Sequence, residues 1–138
     1  MVVFFDTNIL IDYLDKRKPF SDTSEKLLEM CENKVLTAYI STKSLLDIFY
    51  ILRKDYSSEE RKDMLLGLCE TCGVVGIDKI KVLNAITNEQ FSDFEDCVQS
   101  ECAKSIRAEY IITRDINDFA NSEIPPILPN VFLQIFDR

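Results

Sequence analysis

The chain opens on an unbroken apolar run, Val2-Val3-Phe4-Phe5, the pattern of a strand buried on both faces. Ile9, Leu10, Tyr13 and Leu14 then fall at helical spacing and predict a short helix over 8–15. A charged loop over 16–20 ends around Pro19. Leu27, Leu28 and Met30 predict the next helix, running to about 32, with Ser21 or Asp22 as its N-cap. Strand formers fill 35–40, and Ser41 or Thr42 caps a helix to about 54. Ser57-Ser58-Glu59-Glu60 starts a helix that ends near 71. A third strand covers 73–77, and Asp78 caps a helix over 79–87. Ser92 caps a stronger helix, 93–108, whose acidic first turn suits the helix dipole. The fourth strand is 110–113, followed by one helical turn over 117–120. Ile127-Leu128 reads as an edge strand, with a short helix from about Pro129.

Strands separated by helices indicate a parallel sheet with helices on both faces. With no internal repeat and no linker, the reading is one domain over 1–138. Ligands of such sheets sit beyond the carboxyl ends of the strands. Asp6 and Asp115 both fall there.

Carboxylates at strand ends and on apolar helix faces are expensive to bury alone. Asp6 follows the first strand, Asp47 interrupts Leu45-Leu46-Asp47-Ile48-Phe49, and Asp93 and Asp96 share a helix face. Asp115 and Asp118 follow the fourth strand. Each has a plain alternative. Asp6 can be an N-cap, Asp47 a partner of Lys43 one turn back, and Asp93 a complement to the helix dipole. Asp115 and Asp118 can simply end the strand and cap the next turn. Taken jointly, the segments expected near the end of the first strand all bring an acid, and convergence on divalent cations explains them together.

Composition narrows the chemistry. The chain has no His, which removes His-based acid–base catalysis, Ser-His-Asp triads and the common zinc hydrolase sites. Five cysteines, an odd number, argue against a disulfide framework. Cys69-Glu-Thr-Cys72 has the gap of a zinc knuckle, but Cys97 and Cys102 complete it poorly, so small buried thiols are the default. The net charge of −8 does not suggest a broad basic surface for nucleic acid. Basic residues available to a phosphate chain are Lys16-Arg17-Lys18, Lys79, Lys81, Lys104, Arg107 and, above all, Arg114. No apolar run approaches the roughly 20 residues that cross a bilayer, and no basic leader precedes the first strand. A cytoplasmic protein with no membrane attachment is expected.

Asp6-Thr7-Asn8 after an N-terminal strand resembles the first motif of PIN domains. Asp47 in Ser41-Thr42-Lys43-Ser44-Leu45-Leu46-Asp47 resembles the second, where the family usually has Glu. Asp93-Phe94-Glu95-Asp96 resembles the third, and Thr113-Arg114-Asp115-Ile116-Asn117-Asp118-Phe119 the fourth. The resemblance implies an α/β/α sandwich with a central parallel sheet of four to five strands. It implies a Mg²⁺- or Mn²⁺-dependent endoribonuclease of the VapC toxin type, leaving a 5′-phosphate and a 3′-hydroxyl. Asp6, Asp47, Asp96 and Asp115 become the catalytic, metal-ligating carboxylates, and Asp118 a further ligand. Asn8 and Thr113 would orient them, with Arg114 in support. An RNA substrate, a homodimer and a cognate antitoxin are also implied. The shorter Asp47 leaves an alternative: a catalytically weak or inactive PIN-like module that binds a protein partner or RNA. A receiver or phosphatase on a similar sheet is disfavoured, because Asn8 stands where an Asp-x-Asp phosphatase has its second acid.

Overall fold

A computed structural model describes residues 1–137. Five parallel strands lie in the order β3-β2-β1-β4-β5: β1 Val2–Phe5, β2 Thr37–Ser41, β3 Gly73–Val75, β4 Tyr110–Ile112 and β5 Pro126–Ile127. Seven α-helices flank them among the described residues: α1 Thr7–Leu14, α2 Ser21–Glu32, α3 Thr42–Ile51, α4 Ser58–Thr71, α5 Lys79–Thr87, α6 Phe94–Ser105 and α7 Pro129–Phe136.

The alternation of side chains along β1 builds the two cores. Val3 and Phe5 point to one face, where Leu10 of α1, Leu27 of α2, Leu68 of α4 and Phe132 of α7 pack with them. Phe4 points to the other, against Cys102 and Ala103 of α6, with Ile111 and Phe119. All three β1 residues are fully buried, which is why the run carries no polar position. The expected α/β/α sandwich is the observed one. None of the helices among the described residues is long and apolar enough to cross a membrane.

Several boundaries moved, for reasons visible in the backbone. α2 has no side-chain cap: Phe20 is its N-cap residue, and Ser21 and Asp22 lie inside the helix. The helix closes with Lys34 in the left-handed region (φ 60) and Val35 N–H donating to Met30 O at 2.9 Å. Val35 is therefore spent on ending α2, and β2 begins at Thr37. α6 stops in the same way. Arg107 has φ 53 and Ala108 N–H reaches Ala103 O, so the helix ends at Ser105 and not at 108. Its cap is Asp93, whose carboxylate accepts from Asp96 N–H at 2.9 Å, in place of Ser92. β3 ends at Val75, two residues early, and β5 sits one residue early at Pro126–Ile127. Gly73 is required at the β3 start, since a Cβ there would come 2.4 Å from the Tyr39 ring.

Chain order places the site. β1 leaves the sheet centre toward β2 on one side, while β4 returns on the other, so β1 and β4 flank a reversal of strand order. Phe5 is in register with Ile112, and Asp6 N–H donates to Ile112 O at 3.0 Å. The residues just past both strands are thereby neighbours.

Candidate active site

Asp6 caps α1 from the end of β1. Its Oδ1 accepts from Thr7 N–H at 2.8 Å, and its Oδ2 accepts from the Thr113 hydroxyl at 2.8 Å. Thr113 is fully buried just past β4 and also accepts from Asp115 N–H at 3.0 Å. The Asn8 amide joins these groups, donating to Asp6 Oδ2 and Thr113 Oγ1 at 3.4 Å and to Asp115 Oδ2 at 3.2 Å. Its oxygen accepts from Arg114 N–H at 3.4 Å. Two carboxylates that follow separate strands thus share one donor, the Asn8 amide.

The remaining acids come from helices. Asp96, in the first turn of α6, and Asp47, midway along α3, line the same cleft as Asp6 and Asp115, a space of about 290 Å³. Asp47 is ion-paired with Lys43 one turn back, so that plain alternative is realised inside the cleft. Lys43 also lies 3.6 Å from Glu95. Asp93 is the α6 cap, outside the cleft lining. Asp118 is exposed on the short 3₁₀ turn Ile116–Phe119 and likewise does not line it. The structure therefore brings four of the five expected ligands to one cleft and leaves Asp118 outside its lining.

Sequence reasoning missed Gln99. It is buried one turn after Asp96, accepts from the Ser41 hydroxyl, and donates to Ser44 Oγ at 3.1 Å and Thr7 Oγ1 at 3.4 Å. Thr7 and Ser44 hydroxyls meet at 2.7 Å. This polar plug ties α1, α3 and α6 together beneath the carboxylates. The spacing of three from Asp96 was the available signal.

Arg114 is a correction. Its guanidinium is committed to Asp12, with Nε 2.6 Å from Oδ2 and a second nitrogen 3.1 Å from Oδ1. Asp12 is fully buried on α1, and the guanidinium also lies 4.0 Å over the Phe20 ring. Arg114 supports the site by joining α1 to the strand end, and is not a free cation facing phosphate. Of the basic residues marked for phosphate, Arg17 lines the cleft, and Lys43 joins it unforeseen.

A family model for the PIN domain matches residues 2–117. The chain belongs to the PIN domain family. This PIN domain is also similar to solved structures: VapBC2 from Rickettsia felis bound to a promoter DNA fragment (17% identity, TM-score 0.68, covering 93% of this chain and 98% of that one). A toxin–antitoxin complex from Klebsiella pneumoniae matches at 24% identity and TM-score 0.69, covering 92% and 97%. VapC20 of Mycobacterium tuberculosis, a sarcin–ricin loop cleaving toxin, matches at 12% identity and TM-score 0.68, covering 88% and 95%. No curated protein matches the sequence.

The electrostatics of the PIN domain's cleft test whether a cation fits. Burial, and then the charges of Asp93, Asp118, Asp6 and Asp115, push the Asp96 carboxyl up to about 7. Burial also raises Asp6, with hydrogen bonds from Thr113 and Thr7 opposing and Asp115 adding. For Lys43, burial alone would lower its pKa, but Asp47 and Glu95 hold it above the ordinary lysine value. Among the described residues no three Cys, Asp or Glu side chains stand ready-spaced to hold an ion. The donor set is nonetheless all hard oxygen and carries more negative charge than Lys43 and Arg17 offset. It suits Mg²⁺ or Mn²⁺ in chemistry, with Asp6, Asp96 and Asp115 as the carboxylates not already paired with a cation.

These shifts set a sign. Carboxyls raised in the fold bind more protons there than in the unfolded chain, so their contribution falls as pH rises through the window from 3.8 to about 7. In EDTA, the melting temperature is expected to decrease between about pH 5 and about pH 8, and Asp96→Asn to flatten that decrease. Mn²⁺ added at neutral pH should raise it again. Thermal denaturation across pH, with and without the ion, checks all three.

Proposed function

We propose that this PIN domain is a divalent-metal-dependent endoribonuclease and the toxin of a toxin–antitoxin pair, working in the cytoplasm as one domain. The observation that carries the reading is the convergence of Asp6, Asp47, Asp96 and Asp115 from four separate elements on one cleft, within a PIN fold. The likeness to VapBC complexes supports an antitoxin partner.

Asp6, Asp96 and Asp115 would hold the ion, with Asp47 reaching it through water while paired to Lys43. When bound, Mg²⁺ or Mn²⁺ supplies an activated water and neutralises charge developing on the phosphate. The protein's part is positioning. Thr113 and the Thr7 amide fix the Asp6 carboxylate, while Asn8 keeps Asp6 and Asp115 in register. Lys43 and Arg17 offer positive charge to an entering phosphate at a cleft that otherwise repels it. Hydrolysis leaves a 5′-phosphate and a 3′-hydroxyl, and needs no protein nucleophile.

Purified protein with Mn²⁺ is expected to cut single-stranded RNA, and EDTA to stop it. Intact RNA under every divalent ion would rule the reading out. Asn8→Ala and Thr113→Val act on orientation, so each should lower cleavage by about 10–100-fold. The Lys43–Asp47 pair favours a second reading, a catalytically weak module that binds a partner. Asp47→Glu separates the two: a large gain in cleavage shows that the shorter acid had limited activity. Exposed apolar residues on α3 and α5, among them Leu46, Tyr50, Ile80 and Ile86, support a homodimer, which sedimentation velocity tests.

A further inference from the structure

Behind Arg114 lies a second cavity, of about 450 Å³, that the carboxylate chemistry does not use. Its size falls in the range of about 300–1,000 Å³ typical of small-ligand sites. Phe20 and Arg114 form one wall, Pro19 and Pro129 give apolar sides, and the half-buried Thr23 and the exposed Asn130 bring a hydroxyl and an amide. Asp12 grips the Arg114 guanidinium at two points, and that guanidinium lies 4.0 Å over the Phe20 ring. The ring is thus held in place from one side while the residue stays 39% exposed. A pre-fixed aromatic surface lowers the ordering cost of whatever stacks on it.

The cavity is continuous in chain with the cleft. Arg114 precedes Asp115, and Arg17 in the cleft lies three residues before Phe20. We propose that this cavity takes one unpaired base of the RNA whose phosphate enters the carboxylate cleft, stacked beside Phe20 and contacted at its edge by Asn130. The inference rests on the ribonuclease reading and names a subsite for it. Stacking on aromatic and guanidinium planes is how single-stranded RNA is commonly held. An Asn amide offers a donor and an acceptor to a base edge. Charge selects the occupant. Lys16, Arg17 and Lys18 form the one cationic turn leading to this cavity, in a chain of net charge −8. Their partners Asp15 and Asp22 are surface ion pairs of little strength. With Asp15 and Asp22 counted, the turn keeps a small net positive charge, which favours a phosphate chain over a basic peptide.

The test uses the full chain and a fluorescein-labelled single-stranded RNA of about six nucleotides, with Ca²⁺ in place of Mn²⁺. A series carries one abasic position at a time, and binding is read by anisotropy. The wild type is expected to bind roughly tenfold more weakly when one particular base is missing. Phe20→Leu, which keeps apolar bulk without the ring, should lose that dependence to within about twofold. Equal sensitivity in both proteins, or none in the wild type, overturns the subsite. So does RNA binding that Phe20→Leu leaves intact while binding of a basic peptide is lost. Should Phe20→Leu not fold, Asn130→Ala serves the same comparison from an exposed position. Cleavage with Mn²⁺ separates the two claims. Cutting with unchanged KM and no base dependence removes the subsite alone, while Phe20-dependent binding without cutting removes the nuclease alone.

Discussion

Asp6→Asn is expected to reduce RNA cleavage by about 10³-fold or more, a barrier increase on the order of 4 kcal/mol. Asp6 is the carboxylate fixed by the most partners, with Thr7, Asn8 and Thr113 all donating to it. The amide keeps the size and the oxygen that caps α1, but removes the charge that would hold a cation. The fold should survive. Burial raises the Asp6 pKa, so the neutral replacement removes a desolvation cost that offsets the loss of Oδ2 as acceptor for Thr113 and Asn8. In EDTA the variant should melt no lower than the wild type, while Mn²⁺ should no longer stabilise it. Single-turnover cleavage and thermal melting, done on the same preparation, separate lost chemistry from lost structure. A variant that cleaves like the wild type removes Asp6 from the mechanism.

Arg114→Ala is expected to produce the largest loss of stability, about 3–5 kcal/mol, because it strands a charged carboxylate in the core. Asp12 has no exposed surface, and among the described residues Arg114 is the only side chain bonded to its carboxylate. The loss should appear as a lower urea midpoint at unchanged slope. The double variant Asp12→Leu/Arg114→Met should recover most of it, since an apolar pair of similar volume needs no compensation. An Arg114→Ala protein within about 1 kcal/mol of wild type would show that the pair is not what holds α1 to the β4 end.

That pair marks where sequence reasoning stopped. Asp6 and Asp115 were legible because the strand pattern placed each at a strand end, while Asp96 was singled out by the resemblance of Asp93-Phe94-Glu95-Asp96 to the third PIN motif. Asp12 had the same signature, a carboxylate inside the stripe of Ile9, Leu10 and Ile11, yet its partner lies 102 residues away. Only β1–β4 pairing brings Arg114 to it, and no local period encodes that. Gln99 escaped because a neutral amide on an apolar face looks like a surface residue until its three hydroxyl partners are seen together. The start of β2 and the end of α6 were misplaced for a local reason. Lys34 and Arg107 adopt the left-handed conformation that glycine usually marks, so the stop signals were absent from the letters. The parallel sheet and its two helix layers followed from strands alternating with helices, whereas the order β3-β2-β1-β4-β5 became visible only in the structure.

The claim beneath all of this is that the cleft's carboxylates share a cation. Anomalous diffraction from crystals equilibrated with Mn²⁺ tests it most directly. The account predicts a peak coordinated by Asp6 together with Asp96 or Asp115, lost in crystals of Asp6→Asn. A well-ordered cleft with no peak at millimolar Mn²⁺, or an ion bound away from these three residues, would contradict it.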